Sequence, residues 1–286
     1  MEKLIIPDSF FLEETRSGHL VTTETKKLWS VELEILNQFI NICQKYNLTY
    51  WADGGTLLGA VRHNGFIPWD DDIDIMMMRE DFDKFCEVAP LEIESPLFLQ
   101  NWNSDLFGYA YARLINTNTS FFTKKPNNKM ITKRGIYIDI FPFDKISDDD
   151  FQLSIQNFKL QEIYKKMSFF FVLKRQGKIS EDELHSKLAK YSSQYYIEET
   201  KYNQDETIRF ANLSMSHWRD CNIKYFNDGF NEPIMMQFEM LRLPIPRDYD
   251  KVLTDLYGDW HKFVKDASLH TCVLFDTDKP YTEYIS

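Results

Sequence analysis

The 286-residue chain predicts an α/β (α+β) fold, a mixed β-sheet core flanked by helices with a helical elaboration towards the C-terminus. Three patterns lead there. Residues 24–47 repeat apolar side chains at the helical period. Residues 72–76 and 136–141 alternate with the two-residue period of a strand. From 149 to 220 helical spacing returns, rich in Lys, Glu and Gln.

Taken in order, the first helix carries Leu28, Val31, Leu33, Ile35, Leu36, Phe39, Ile40 and Cys43, with Thr22 and Thr23 as N-caps. Residues 48–52 form a short strand, Gly54-Gly55 a tight turn, and 56–62 a short helix that starts at that turn. A loop follows over 63–69, marked by Asn64-Gly65 and Pro68. The strand at 72–76 leads into a helix at 80–89 that ends before Pro90. Strands are expected at 98–102 and 109–115, then a polar loop at 116–133 near the site entrance. The strand at 136–141 is closed by Pro142. Residues 241–246 are extended, and 249–257 form a helix capped by Gly258. The expected organisation is a catalytic core over 1–148, a helical elaboration over 149–235, and a C-terminal segment, 236–286, packed back on the core.

Composition narrows the function. Hydrophobic residues make up 43% of the chain, enough for a sizeable core. A net charge of −11 argues against a nucleic-acid binder, which needs a basic footprint. Cys43, Cys86, Cys221 and Cys272 lie far apart with no C-x-x-C pair, so no structural zinc is expected and Cys43 and Cys86 read as buried thiols. With no signal peptide and no long apolar run, a cytoplasmic location is expected, with at most peripheral contact at the inner face of the membrane.

The chemistry is concentrated between Tyr50 and Met78. Asp70, Asp71, Asp72 and Asp74 occupy four of five positions, and so many carboxylates together call for a cation. Residues two apart on a strand share a face, which puts Asp72 and Asp74 roughly 6.5–7 Å apart, able to converge on Mg²⁺ (or Mn²⁺). Asp139, between Ile138 and Ile140 in the other alternating strand, is the expected third ligand. Asp70 and Asp71 are either solvated loop residues or groups that support ligands and substrate hydroxyls. The Gly54-Gly55 turn at a helix start offers free backbone N–H groups to a phosphate, with the Thr56 hydroxyl beside them. Asp53 either binds a sugar hydroxyl or caps the turn. Arg62 and His63 either touch phosphate or end a solvated helix. Arg79 could pair with the aspartates or with a donor phosphate, and Arg113, in a strand, needs a carboxylate that the cluster would supply.

The run W-A-D-G-G-T-L-L-G-A-V-R-H-N-G-F-I-P-W-D-D-D-I-D-I closely resembles the LicD family, a branch of the nucleotidyltransferase superfamily typified by DNA polymerase β and related to fukutin and fukutin-related protein. R-E-D-F-D-K-F (79–85), G-I-Y-I-D-I-F-P-F-D (135–144) and Y-G-D-W (257–260) look like further family elements. The resemblance covers about 24–145 and a shorter piece near 236–270. It implies a nucleotidyltransferase-like mixed sheet and metal-dependent transfer of a phospho-alcohol from a CDP-activated donor to a glycan or lipid-linked glycan hydroxyl. Bacterial members resemble phosphocholine transferases that use CDP-choline to decorate teichoic acid, lipopolysaccharide or capsule precursors. The mammalian relatives transfer ribitol phosphate. His270 aligns loosely with a family histidine, and a structural role is its alternative. Choline would call for an aromatic cage, with Trp51 and Trp69 the first rings to examine. Two rivals stand beside this reading. One is an enzyme that transfers a nucleoside monophosphate itself. The other is a non-catalytic binding module, which an intact Asp72, Asp74 and Asp139 set disfavours.

Overall fold

The computed structural model describes residues 3–105, 107–122, 133–207, 209–215, 225–230, 232–264 and 274–284. Strands β1 (Glu14–Arg16) and β2 (His19–Val21) form a hairpin whose turn residues, Ser17 and Gly18, both have positive φ. That is the backbone a two-residue hairpin loop needs to match strand twist. Helix α1 (Thr23–Tyr46) starts where the Thr22 hydroxyl accepts a bond from the Thr25 N–H and ends at Asn47 in the left-handed region. Its buried stripe runs through Trp29, Leu33, Leu36, Phe39, Ile40 and Cys43, at the spacing that the sequence suggests.

Strand β3 (Trp51–Ala52), helix α2 (Gly54–His63), strand β4 (Asp74–Met78) and helix α3 (Arg79–Glu92) follow, then β5 (Leu97–Gln100), β6 (Ala112–Asn116), β7 (Ser120–Phe122) and β8 (Ile136–Lys145). The long strand β8 is the spine of a mixed seven-stranded sheet. On one edge it pairs in parallel with β4, which carries β3 antiparallel. On the other edge its first half pairs with β6, and β6 with β5, while its last two residues pair with β9 (Arg209–Ala211). Strand β10 (Tyr225–Phe226) extends β9.

Helices α4 (Asp150–Arg175) and α5 (Glu181–Glu199) form a hairpin, its second arm opened by a capping box between Ser180 and Glu183. Strands β11 (Ile234–Phe238) and β12 (Leu241–Ile245) make a ribbon that leads to α6 (Tyr249–Tyr257), which ends at Gly258. Strand β13 (Leu274–Asp276) pairs with β7. Among the described residues no helix is long and apolar enough to cross a membrane.

Strand β7 lies inside the 116–133 stretch expected as a polar loop, its Ser120, Phe121 and Phe122 all buried against β13, and four further elements differ from expectation, each for a local reason. Strand β4 begins at Asp74, two residues late, so Asp72 lies ahead of it. Helix α3 continues through Pro90 to Glu92, because a proline in the last turn removes only one N–H near the end of the ladder. Strand β8 passes through Pro142 to Lys145. The Asp139 N–H donates to Ile73 O on the β4 side, so the position of the missing Pro142 N–H, of opposite parity, faces the other edge. There β6 has ended opposite Ile140 and β9 starts opposite Asp144, so no ladder bond is lost. Lastly, the helical reading of 149–220 fails at 209–211, which is strand. In the Phe169–Phe171 cluster, Phe169 is exposed, Phe170 packs on Tyr191, and Phe171 closes against Gly108.

Candidate active site

Register assembles the site. Asp74 of β4 is opposite Asp139 of β8, Asp139 is opposite Arg113 of β6, and Arg113 is opposite Gln100 of β5. Paired residues point to the same face, so two carboxylates, a guanidinium and a carboxamide form one lateral row across four strands. Arg113 donates to both oxygens of Asp139, at 2.6 and 3.2 Å, and to the Tyr111 hydroxyl at 3.1 Å, while its guanidinium lies 3.8 Å over the Tyr137 ring. Burial works to lower the Arg113 pKa, but Asp139 and the surrounding tyrosines raise it well above its usual value. Arg113 thus finds its carboxylate in Asp139 of β8 and not in the Asp70–Asp74 cluster expected to supply it.

Helix α2 closes over the start of β4. The Asp53 N–H donates to Asp74 O, and the Thr56 hydroxyl accepts from the Asp74 N–H at 2.8 Å. Thr56 is buried, and its hydroxyl, expected beside a phosphate, accepts from the Asp74 N–H and so fixes the backbone of Asp74. Asp53 makes no side-chain cap bond to α2. Gly54 has φ +51°, and a Cβ there would lie 3.0 Å from Asp74 Oδ2; one at Gly55 would lie 2.6 Å from Asp70 Oδ2. The two glycines therefore let the helix start approach both carboxylates more closely than a side chain allows.

Electrostatics mark the centre. Burial, then Asp72, Asp139, Asp53 and Asp70, raise the Asp74 pKa well above the ordinary carboxylate range. One oxygen from each of Asp70, Asp71 and Asp72 can be brought within 4.8 Å of the other two, a spacing suited to a divalent cation. Crowded oxygen donors of one charge fit a hard cation such as Mg²⁺. Asp72, although ahead of the strand, remains close enough to act strongly on Asp74.

Two groups at the site were not foreseen. Glu32 of α1 is 1% exposed, and burial followed by Asp72, Asp71, Asp70 and Asp74 raises its pKa well above the usual range. Its signal was available, a charge within the apolar stripe between Trp29 and Leu36. Tyr257, at the end of α6, brings its hydroxyl within 3.9 Å of where a Gly54 Cβ would stand. Burial, then Asp53 and Asp74, raise its pKa, so the phenol keeps its proton. Tyr257 opens the Y-G-D-W run, which was noted without assigning it a site role.

Other expected residues lie elsewhere. Arg79 is turned away from the aspartates into a buried knot, donating to Asp144 at 2.8 and 2.6 Å and to Glu199 at 3.1 Å. Its position immediately after β4 puts it at the far end of that strand from Asp74, which corrects the expected pairing with the cluster or a donor phosphate. Arg62 bonds the His63 ring at 3.1 Å and Trp260 O at 3.2 Å, bracing the C-terminal segment. Burial, then Arg62 and Arg16, lower the His63 pKa to about 4, so the ring is neutral near pH 7. Trp51 is buried edge-on against Phe230, whereas Trp69 is half-buried beside Phe263 and His19. Cys43 is buried and Cys86 half-buried. His270, Cys221 and Cys272 lie outside the described residues.

Comparison with known proteins agrees with the motif pattern. A family described as LicD/FKTN/FKRP, nucleotidyltransferase domain, matches residues 47–175. The lipopolysaccharide cholinephosphotransferase LicD of Haemophilus influenzae is 29% identical over 245 residues, covering 80% of this chain and 88% of that protein. The human ribitol 5-phosphate transferase FKRP is 26% identical over 106 residues, 35% of this chain and 21% of its own length. An uncharacterized protein of Rickettsia typhi is 46% identical over 57 residues, 20% of this chain and 18% of that one. The row of Asp74, Asp139 and Arg113 and the Gly54-Gly55 turn all fall within residues 47–175, the segment that matches the LicD/FKTN/FKRP nucleotidyltransferase domain.

Proposed function

We propose that this LicD-family transferase moves phosphocholine from CDP-choline onto a hydroxyl of a cell-surface glycan precursor, such as lipopolysaccharide, teichoic acid or capsule, with release of CMP. The observation that carries the reading is the register of Asp74 against Asp139 beside a glycine turn in contact with the same carboxylates. The cholinephosphotransferase relative, aligned along most of both chains, favours choline as the donor alcohol.

Asp72, Asp74 and Asp139 would hold Mg²⁺ or Mn²⁺, which when bound supplies neutralisation of the donor diphosphate. The backbone N–H groups of Gly54 and Gly55, at the positive end of α2, orient a phosphate against Asp74. The Tyr257 hydroxyl donates a hydrogen bond into the same space. Arg113, bound to both Asp139 oxygens, stabilises the ionised carboxylate and weakens it as a base. Asp139 is therefore assigned to cation binding and not to proton removal. A loose phosphoryl-transfer transition state asks for positioning and charge neutralisation more than for a strong base. The glycan hydroxyl attacks the phosphorus that bears the alcohol in line, the bond from that phosphorus to the CMP oxygen breaks, and the hydroxyl proton passes to the departing CMP phosphate or to solvent. The protein works in the cytoplasm with at most peripheral contact at the inner membrane face, where a lipid-linked acceptor would be presented.

The test is CMP release in the presence of Mg²⁺, a glycan acceptor and CDP-choline, CDP-glycerol or CDP-ribitol in parallel. Release with CDP-choline alone supports the assignment. Preference for CDP-ribitol would move the donor towards the chemistry named for the human relative, and silence with every donor would refute phospho-alcohol transfer.

A further inference from the structure

The hairpin of α4 and α5 carries an exposed face that the transfer chemistry does not use. The chain has a net charge of −11, yet between Glu162 and Glu181 it holds five basic residues and no acid, and between Glu183 and Glu198 two lysines and no acid. Lys165 and Lys174 pair with Glu162 and Glu181, whereas Lys166, Arg175, Lys178, Lys187 and Lys190 have no carboxylate partner among the described residues. Three of these five meet on one face across the two helices. Phe170 of α4 and Tyr191 of α5 lie 5.6 Å apart, with Lys166 and Lys190 over the Tyr191 ring and Lys187 over the Phe170 ring, each 5.8 to 5.9 Å from its ring centre. Phe169, 6.2 Å from Phe170, is 57% exposed, and Val172, three residues on, is 44% exposed. Apolar side chains left in water inside a rim of unpaired ammonium groups match a partner that is apolar within and anionic at its boundary.

Shape narrows the partner further. A second copy of the chain would bring lysine against lysine across a two-fold axis. A long polyanion such as RNA would trail over the acidic remainder of the molecule. A flat bilayer touches only the outermost face, and repulsion from carboxylates farther than roughly 8 Å away is screened at physiological salt. The face is also tied to the site. Tyr164 of α4 stacks on Tyr109 at 6.3 Å and Tyr109 on Tyr111 at 5.4 Å, and the Tyr111 hydroxyl accepts from Arg113 of the Asp74–Asp139 row.

We propose that the α4–α5 hairpin docks on an anionic phospholipid surface, with Phe169 and Val172 entering the headgroup boundary and Lys166, Lys187 and Lys190 meeting lipid phosphates. Docked this way, the stacked tyrosines link the membrane face to the Arg113 end of the row. The docking deepens the peripheral membrane contact proposed above and relies on that reading only for the acceptor it brings to the site, not for the binding itself.

The full-length chain is sedimented with vesicles of phosphatidylcholine alone, or of equal parts phosphatidylcholine and phosphatidylglycerol. The wild type should pellet with the mixed vesicles, stay in the supernatant with phosphatidylcholine, and detach as salt rises. Each lysine near an anionic surface strengthens binding about fivefold, so combining Lys166→Gln, Lys187→Gln and Lys190→Gln should weaken it about a hundredfold. Phe169→Ser should weaken it by at least about tenfold. All four side chains are exposed, so circular dichroism and CMP release with a water-soluble acceptor should match the wild type in both variants. Equal binding to the two vesicles, no binding to either, or unchanged binding by either variant would overturn the proposal. Lysine-dependent binding to single-stranded RNA without vesicle binding would overturn it in favour of a polyanion. Vesicle binding is read without substrate, so its outcome is separate from that of phospho-alcohol transfer.

Discussion

Replacing Gly54 by Ala tests the central claim about the glycine turn, because the cost separates into two parts. At φ +51° any L-residue carries a backbone penalty of about 1–2 kcal/mol. Gly18, at φ +77° in the β1–β2 turn, carries the same kind of penalty with no atom within 4 Å of its would-be Cβ. Gly18→Ala is therefore the control for backbone strain. Gly54→Ala adds a Cβ 3.0 Å from Asp74 Oδ2, where ordinary contacts start at 3.4 Å, so the carboxylate must retreat by about 0.4 Å. A misplacement of about 1 Å in a catalytic group can cost about 10²-fold, so this retreat predicts a fall of roughly 3- to 10-fold in turnover per folded molecule. The assay is CMP release normalised to folded protein, with chemical denaturation of both variants alongside. Equal turnover in the two variants, at equal loss of stability, would refute the idea that Gly54 exists to admit the Asp74 carboxylate.

Further outcomes follow from the same geometry. Asp74→Asn and Asp139→Asn should each abolish CMP release while far-ultraviolet circular dichroism stays unchanged. Arg79→Met should destabilise the chain by about 3–5 kcal/mol in urea denaturation, since it strands the buried Asp144 and Glu199 carboxylates. Asp74 and Glu32 both have raised pKa values, so the folded chain holds their protons more tightly than the unfolded chain does. The metal-free protein should then lose stability as pH rises above the ordinary carboxylate range, and the gain in melting midpoint on adding Mg²⁺ should be larger at about pH 8 than at about pH 5. His63 shows the opposite sign. Its contribution is fully present above its ordinary value of 6.5 and is lost as pH falls through the window down to about 4, so His63→Asn should flatten the acid limb of the stability profile.

Apolar periodicity was enough to read helix α1, whose stripe records a single buried face, while the runs that located β4 and β8 and put Asp139 forward lie in strands buried on both faces. It did not reveal strand ends. Pro90 and Pro142 both looked like stops, yet Pro90 costs one bond in the last turn of its helix, and Pro142 lies where its missing N–H has no ladder partner to lose, which depends on strands remote in sequence. Arg79 was misjudged for a related reason. Its carboxylates, Asp144 and Glu199, are 65 and 120 positions away, and adjacency to the aspartates in the chain is not adjacency in space. Glu32 and Tyr257 show the converse. A lone acid in an apolar stripe and a tyrosine at a helix end acquire meaning only once α1 and α6 have docked against the 70–74 segment.

The parallel pairing of β4 with β8 also bears on how the chain folds. Asp74 and Asp139 are separated by 139 − 74 = 65 positions, and closing such a loop costs on the order of 4 kcal/mol in chain entropy. Their own rung is repulsive and cannot meet that cost. The rungs beyond it are apolar, Ile75 with Ile140, Met76 with Phe141 and Met78 with Phe143, and these must hold the strands together against the carboxylates. Nascent chain emerging with the four aspartates therefore waits for β8 before the acidic centre exists at all. Shaving the distant rungs, as in Ile140→Val, would slow folding without touching a single group that meets substrate.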